Sequence, residues 1–368
     1  MGNGRSGYQK YGLSGWLFQQ LLSLPERSNF DKFVPFDKEE HYDNFNTWTN
    51  YLPRLNHTNS FVRTTLINWV REVATDYDID GFSLDNVDGI PKDVLEELNN
   101  STEIFIIGQA SGSGAALAEY QQALDAVFDN DMYSALRSFV ARSYSSNGYY
   151  EIPDKLALRR GLFTDPTVLG GYLDNVDTRR LLGVTDYTRL RNALAYLLMA
   201  EWIPFLYYGT EQGTEFTGGS GSSNHESLWP YYIEERSLYQ FIATILKHRK
   251  DLFGSEVSGY QNVAQVDCSY SDRFYSFTRK TTLIIISNQG YTTSSTQYTI
   301  RHHPFKKGTE LVNIFDSADK VTVKDDGTFS ITLENAEPKI YSGGSMVGQS
   351  LVLVLVVCVS ILYTITKY

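Results

Sequence analysis

The sequence predicts an α/β fold followed by a separate all-β domain, and three observations carry that reading. Asp80-Gly81-Phe82-Ser83-Leu84-Asp85-Asn86-Val87 reads as a short buried strand that stops at a carboxylate. An amphipathic helix leads into it, with Leu66, Trp69, Val70, Val73 and Tyr77 at helical spacing, and a second strand with a polar end, Ile104-Phe105-Ile106-Ile107-Gly108-Gln109, follows. Beyond residue 254 the pattern changes to apolar and polar residues in alternation, punctuated by turn residues. Strands that alternate with helices form parallel sheets, and in parallel α/β barrels the C-terminal ends of the strands carry the active site. Asp85 is a catalytic candidate by position alone.

The βα rhythm continues along the chain. Ala126-Val127-Phe128 is a short apolar run, and Leu169-Gly170-Gly171-Tyr172-Leu173 ends in the polar cluster Asp174-Asn175-Val176-Asp177. Ala193 to Ala200 leads to Ile203-Pro204-Phe205-Leu206-Tyr207-Tyr208, which ends at Gly209-Thr210-Glu211, and Ser237 to Lys250 reads as a helix. The all-β part contains Phe274 to Phe277, Leu283 to Ile286, and a hairpin of Val321-Thr322-Val323 with Phe329-Ser330-Ile331 across an Asp326-Gly327 turn. Ser111-Gly112-Ser113-Gly114 lacks both the lysine of a phosphate loop and the third glycine of a dinucleotide loop, so it reads as a flexible loop. Gly218 to Ser223 reads as a surface loop, and Asp88, Asp174 and Glu211 as solvated or hydrogen-bonded structural residues.

Composition narrows the function. With 368 residues, 42% hydrophobic and 14% aromatic, the chain is globular and able to bury a core. A net charge of −11 without any basic, aromatic-interleaved cluster excludes a nucleic-acid surface. Two cysteines, Cys268 and Cys358, give no disulfide framework, and six histidines show no metal-ligand spacing, so no bound metal is expected.

The two ends carry localisation signals. Within Met346 to Ile365 the core Leu351 to Tyr363 has no charge, and as a helix the full stretch is about 30 Å long, enough to matter to a membrane. Ser342-Gly343-Gly344-Ser345 stands before it, the pattern of a glycolipid-anchor signal whose tail is removed and whose anchor joins at Ser342. A retained single span and a buried core helix are the competing readings. Met1 to Lys10 has no apolar stretch that could serve as a signal peptide, so an upstream leader is expected to be missing. Sequons at Asn56, Asn99 and Asn100 are compatible with glycosylation in a secreted, cell-surface protein.

Five motifs in order carry a resemblance. Leu52-Pro53-Arg54-Leu55-Asn56, Asp80 to Asp85, Ile107-Gly108-Gln109, Asp174 to Asp177 and Tyr208-Gly209-Thr210-Glu211 together resemble the α-amylase family of retaining glycoside hydrolases, especially its fungal members. The Asn224-His225-Glu226-Ser227-Leu228-Trp229 loop and an ending at Pro338-Lys339-Ile340-Tyr341 fit the same pattern. With the tail, the chain is also similar to fungal cell-wall α-glucan transferases and hydrolases.

The resemblance implies a partial (β/α)8 TIM barrel lacking its first strands, an all-β C-terminal domain and an apolar tail. The implied divisions are 1–60, a remnant of the loop domain inserted after the third barrel strand; 61–254, the partial barrel; 255–341, the antiparallel β domain; and 342–368, the anchor signal or membrane tail. The implied missing start points to a truncated gene product or a decayed copy. The implied partner is an α-glucan such as starch, glycogen or cell-wall α-glucan.

Carried over by position, Asp85 is the nucleophile, Gln109 stands where the family has its glutamic acid, and Asp177 is the third carboxylate. Ser83, Asn175, Val176 and Arg180 occupy substrate-binding positions, with Ser83 in place of the family's arginine and Val176 in place of its histidine. Arg54 stands for a calcium-ligating aspartate and Gly89 for a histidine near the metal, so no structural calcium or other cofactor is expected. The resemblance therefore implies a retained glucan cleft with impaired or lost hydrolysis. The alternatives are an active retaining hydrolase or 4-α-glucanotransferase in which Asp174 or Glu211 supplies the acid, and a non-enzymatic amylase-like scaffold.

Overall fold

The computed structural model describes residues 55–141, 151–213, 227–254, 259–260 and 263–343. The expected remnant at 1–60 lies almost entirely outside them, as do Arg54, the loop 218–223 and the apolar tail at 346–365. Among the described residues no helix is long and apolar enough to cross a membrane. The chain divides into two compact units, Met1–Phe128 and Asp129–Tyr368.

In the first unit, helix α1 (Ser60–Asp76) begins at Asn59, whose side chain accepts from Phe61 N at 3.0 Å and Val62 N at 3.3 Å, the usual satisfaction of orphan amides at a helix start. Its fully buried residues are Val62, Ile67 and Val70; Leu66, Trp69 and Val73 are half-buried and Tyr77 is exposed, so the buried face is rotated from the one the spacing suggests. Strand β1 (Gly81–Leu84), helix α2 (Lys92–Asn100), strand β2 (Phe105–Gly108), the short helix α3 (Gly114–Ala118) and strand β3 (Ala126–Val127) follow. The three strands form one parallel sheet in the order β1-β2-β3, with Leu84 opposite Gly108. The sequence reading of β1 as a buried strand is corrected: Gly81 and Ser83 are exposed and Phe82 and Leu84 half-buried. Among the described residues β1 has a partner strand on one side only, so it is an edge.

The second unit opens with helices α4 (Asn130–Ala141) and α5 (Glu151–Leu162), then strand β4 (Gly170–Tyr172), helix α6 (Tyr187–Met199) and strand β5 (Ile203–Phe205). β4 and β5 pair in parallel. Helix α6 is capped by Asp186, which accepts from Arg189 N at 2.9 Å, and is buried on nearly every face. That burial explains why its sequence is an apolar run rather than an amphipathic pattern. Trp202, fully buried, packs on β4 where Gly171 has no side chain: a Cβ there would meet the indole at 2.1 Å.

Helix α7 (Ser237–Phe253) leads to the β domain: β6 (Val266–Tyr270), β7 (Phe274–Arg279), β8 (Thr282–Ser287), β9 (Ser295–Ile300), β10 (Glu310–Asn313), β11 (Asp316–Thr322), β12 (Phe329–Glu334) and β13 (Lys339–Gly343). Six of these strands form an antiparallel sheet in the order β11-β10-β13-β8-β7-β6, and β9 pairs with β12. The expected alternation fails in β7 and β8, which are buried at every residue. Both faces of the sheet are covered, so the two-residue period sorts side chains between two cores rather than between core and water. Leu283 and Ile285 join Phe329 and Ile331, whereas Ile284 and Ile286 join the α6 side chains.

The Asp326-Gly327 turn forms, with Gly327 at φ +73° and Lys324 N donating to Thr328 O at 2.9 Å. The flanking strands do not pair across it as a hairpin; β11 pairs with β10 and β12 with β9. The turn instead carries the chain from one sheet to the other.

Buried polar side chains join α6 to this domain. Arg279 donates to Ala200 O at 2.7 Å and Met199 O at 3.3 Å, placing a cation on the last carbonyls of α6, where the helix dipole favours it. Asn192 donates to Ala336 O at 3.0 Å and accepts from Ser287 N at 2.6 Å.

Substituting Gly171→Ala is expected to destabilise the protein by about 1–3 kcal/mol through overpacking against Trp202. Urea titration should show a lower midpoint with an unchanged slope; a wild-type midpoint would refute the contact.

Candidate active site

The site residues expected from sequence fall in two groups, one in each unit. In the first, the β1–β2 ladder runs one residue past the strands: Gln109 N donates to Leu84 O at 2.8 Å, and Val87 N returns to Gln109 O at 3.0 Å. Asp85 follows Leu84 directly, so Asp85 and Gln109 stand at neighbouring strand ends, about 4.8 Å apart in the pairing direction of a sheet. Asp85 is exposed and Gln109 half-buried. Ser83, two residues before Asp85, is exposed with it, as the two-residue pleat requires.

After Asp85 the chain turns sharply. Asn86 adopts φ 53°, a left-handed conformation that asparagine tolerates, and Val87–Gly89 form a single 3-10 turn. Asp88 then accepts from Ser111 N at 2.6 Å and from Ser111 Oγ at 2.8 Å. Burial, reinforced by the Asp88 charge, raises the Tyr120 hydroxyl to about 12, and Lys92 lies 5.0 Å from the centre of that ring. The glycine-rich stretch after Gln109 is thus tied down at Ser111, and Asp88 is a hydrogen-bonded structural residue as expected. The clamp itself, pairing the turn after β1 with the loop after β2, left no mark in the sequence because its two residues are 23 apart.

In the second unit, the cluster after β4 is organised by Asp174 and Asn175. Asp174 is 5% exposed and accepts from Leu181 N at 2.6 Å and Thr210 Oγ1 at 3.1 Å, with Arg137 Nη1 at 3.4 Å. Burial pushes its carboxyl above the ordinary range, against the opposing pull of these hydrogen bonds and of the Arg137 charge. Asn175 Oδ1 accepts from Asp177 N at 3.1 Å, Thr178 N at 2.9 Å and Thr178 Oγ1 at 2.8 Å, a side-chain turn that presents Asp177 to solvent. Val176 is half-buried between them.

Arg180 is 2% exposed. Its Nη1 donates to Tyr208 O at 2.8 Å, and its guanidinium carbon is 4.7 Å and 5.1 Å from the ring centres of Tyr207 and Tyr208. Tyr133 stacks on Tyr172 at 4.4 Å; the Tyr133 hydroxyl donates to Thr178 Oγ1 at 3.2 Å and the Tyr172 hydroxyl to Asn130 Oδ1 at 2.9 Å. Of these four tyrosines only Tyr208 lay in a motif singled out in the sequence; the adjacency of Tyr207 and Tyr208 at a strand end was the available signal for its neighbour. Glu211 is half-buried in the turn that follows.

The remaining expected positions lie apart from these groups. Asn56 is half-buried and accepts from Thr58 N at 3.1 Å and Thr58 Oγ1 at 2.7 Å, within its own sequon. Asn99 is half-buried and Asn100 exposed at the end of α2. Ser342 lies inside β13, in register with Thr282 on one side and Val312 on the other. Gly89 is buried and offers a metal only backbone oxygen; among the described residues no group of three or more His, Cys, Asp or Glu is placed to hold a metal ion.

Comparison with known proteins places these features. A family model for α-amylase domain C matches residues 270–352. The α-amylase of Saccharomycopsis fibuligera is 23% identical over 333 residues, covering 85% of this chain and 66% of that protein. Alpha-amylase 1 of Schwanniomyces occidentalis is 24% identical over 346 residues, covering 88% and 66%. The chain thus spans just under two thirds of the length of these relatives. Among solved structures, an α-amylase from Malbranchea cinnamomea superposes with a TM-score of 0.78 at 22% identity, covering 86% of this chain and 68% of that one. That likeness carries the barrel-plus-β-domain fold. Fold, β-domain match and fungal relatives agree in what the chain resembles, the α-amylase family.

Proposed function

We propose that this protein binds an α-1,4-glucan such as starch, glycogen or cell-wall α-glucan, and that it has lost most or all of the hydrolysis its family performs. The observation that carries the reading is the neighbouring placement of Asp85 and Gln109 at the ends of β1 and β2. Retaining glycoside hydrolysis needs two carboxyl groups about 5–5.5 Å apart, one to attack the anomeric carbon and one to protonate the departing oxygen. Adjacent parallel strands supply that spacing. Asp85 offers the first group, but the Gln109 amide can donate a hydrogen bond and has no proton to release.

General acid catalysis is worth about 10²- to 10⁴-fold, and a sugar alkoxide is a poor leaving group without it. Ser83 removes the cation that would favour an ionised nucleophile, and Val176 removes a donor to sugar hydroxyls. Binding tolerates these changes better than catalysis does, because a carboxamide fills the acid's space and keeps hydrogen-bonding capacity. A fold neighbour, a glutamate-to-glutamine variant of AmyP with a TM-score of 0.64 at 15% identity, is solved in complex with maltotriose. In this reading Asp177 keeps the position of the family's third carboxylate, and Arg180 is a positioning residue that holds Tyr207 and Tyr208. The protein acts outside the cell, held at the surface by an anchor joined at Ser342, near the end of β13, and carries glycans at its sequons.

A replacement acid at Asp174 is disfavoured because the structure engages both of its oxygens. Asp174→Ala is expected to destabilise the protein by about 1–3 kcal/mol, since Leu181 N and the Thr210 hydroxyl lose their acceptor. An unchanged urea midpoint would return Asp174 to the list of proton donors.

The direct test pairs retention on immobilised starch with hydrolysis of a maltooligosaccharide by the wild type and by Gln109→Glu. The wild type should be retained and nearly inactive, and Gln109→Glu should raise the rate by about 10²- to 10⁴-fold. Equal rates for the two proteins would contradict the missing-acid reading, and failure to be retained would favour a non-enzymatic scaffold.

A further inference from the structure

Between the end of β4 at Tyr172 and the 3-10 turn Leu181–Gly183, residues 173–180 belong to no helix or strand. A loop without a ladder holds one shape only if its main-chain groups find partners elsewhere. Helix α4 supplies them from Tyr133 and Arg137, which stand one turn apart on one helix face. Arg137 Nη1 donates to Leu173 O at 2.9 Å and Nη2 to Arg179 O at 3.0 Å. One planar guanidinium thus spans the start and the end of the loop, a geometry that its rigid fork of donors provides. Arg137 Nη1 also lies 3.4 Å from Asp174 Oδ1, but this contact is longer than either carbonyl bond. The two carbonyls, rather than the ion pair, set where the guanidinium sits.

Tyr133 completes the hold. The Arg137 guanidinium carbon lies 5.4 Å from the centre of the Tyr133 ring, an arrangement in which the cation is attracted to the aromatic face, and the same ring stacks on Tyr172 of β4. The Tyr133 hydroxyl donates to Thr178 Oγ1 at 3.2 Å, Thr178 Oγ1 donates to Asn175 Oδ1 at 2.8 Å, and Asn175 Oδ1 accepts from Asp177 N at 3.1 Å. A path of hydrogen bonds therefore runs from α4 to the main-chain amide of Asp177, whose side chain is exposed. Arg137 itself is half-buried with Nη1 and Nη2 turned onto the loop, so its place is behind the exposed carboxylate rather than beside it. A lysine at this position would keep a charge near Asp174 but would offer a single nitrogen in place of the fork.

We propose that Arg137 is a positioning residue for glucan binding: by stapling Leu173 to Arg179, with Tyr133 bracing Thr178, it fixes the loop that presents Asp177. That Asp177 meets the glucan rests on the function proposed above. The test titrates the full chain with maltoheptaose by calorimetry for the wild type, Arg137→Ala, Arg137→Lys, Tyr133→Phe, Asp177→Ala and the double variant Arg137→Ala/Asp177→Ala, and follows amide hydrogen exchange across residues 173–180 in the sugar-free proteins. Arg137→Ala should weaken binding about tenfold, within the coupling range of residues that share one hydrogen-bond network, and the double variant should bind no more weakly than Asp177→Ala. Arg137→Lys should fail to restore binding. Exchange at Asp177 and Thr178 should be about tenfold faster in Arg137→Ala and also faster in Tyr133→Phe, which loses a single hydroxyl and keeps the fold. Additive losses in the double variant would reduce Arg137 to a general structural role, wild-type binding by Arg137→Lys would assign its effect to charge on Asp174, and exchange unchanged in both Arg137→Ala and Tyr133→Phe would show that nothing is stapled; each overturns the proposal and leaves the glucan reading standing. A wild type that binds no maltoheptaose removes that reading and, with it, the role assigned to Arg137.

Discussion

Two backbone hydrogen bonds set the terms of this site. By carrying the parallel ladder past Leu84 and Gly108, the pairs Gln109 N to Leu84 O and Val87 N to Gln109 O hold Asp85 and Gln109 at the same height on neighbouring strands. The Asp88–Ser111 clamp fixes the loops on either side. A frame of this kind does not depend on what side chain stands at position 109, because only main-chain atoms and the clamp are used. A carboxylic acid and its amide are therefore interchangeable in this frame, as the proposed function requires.

The second group of residues shows the same division between frame and chemistry. Asp174, Asn175 and Arg180 are engaged with Leu181, Thr210, Thr178 and Tyr208, and they shape the loop on which Asp177 is exposed. Sequence similarity in such a cluster reports on the architecture of the loop as much as on contacts to sugar. Positions 83, 109 and 176 are those at which the resemblance implies a departure from the family pattern.

The sequence made the strand-end carboxylate legible because periodicity and the abrupt polar stop mark where a strand ends, and element order carried the family resemblance. It did not reveal that, among the described residues, β1 pairs on one side only, or that β7 and β8 are buried on both faces, since covering layers come from residues far away in the chain. The hairpin expected across Asp326-Gly327 had correct turn chemistry, but pairing is decided by the sheets the two strands join. Arg180, expected at a substrate-binding position, is buried, because the sequence does not show that Tyr207 and Tyr208 enclose its guanidinium. The staple at Arg137 was invisible in the same way: the two carbonyls it joins lie 36 and 42 residues further along the chain.

The account stands most directly on binding without turnover. Incubating the full chain with maltoheptaose to saturation, then recovering the sugar for mass analysis over many hours, measures both at once. The account predicts saturable binding with the heptasaccharide recovered intact. Steady accumulation of shorter oligosaccharides at a rate ordinary for an α-amylase would contradict it.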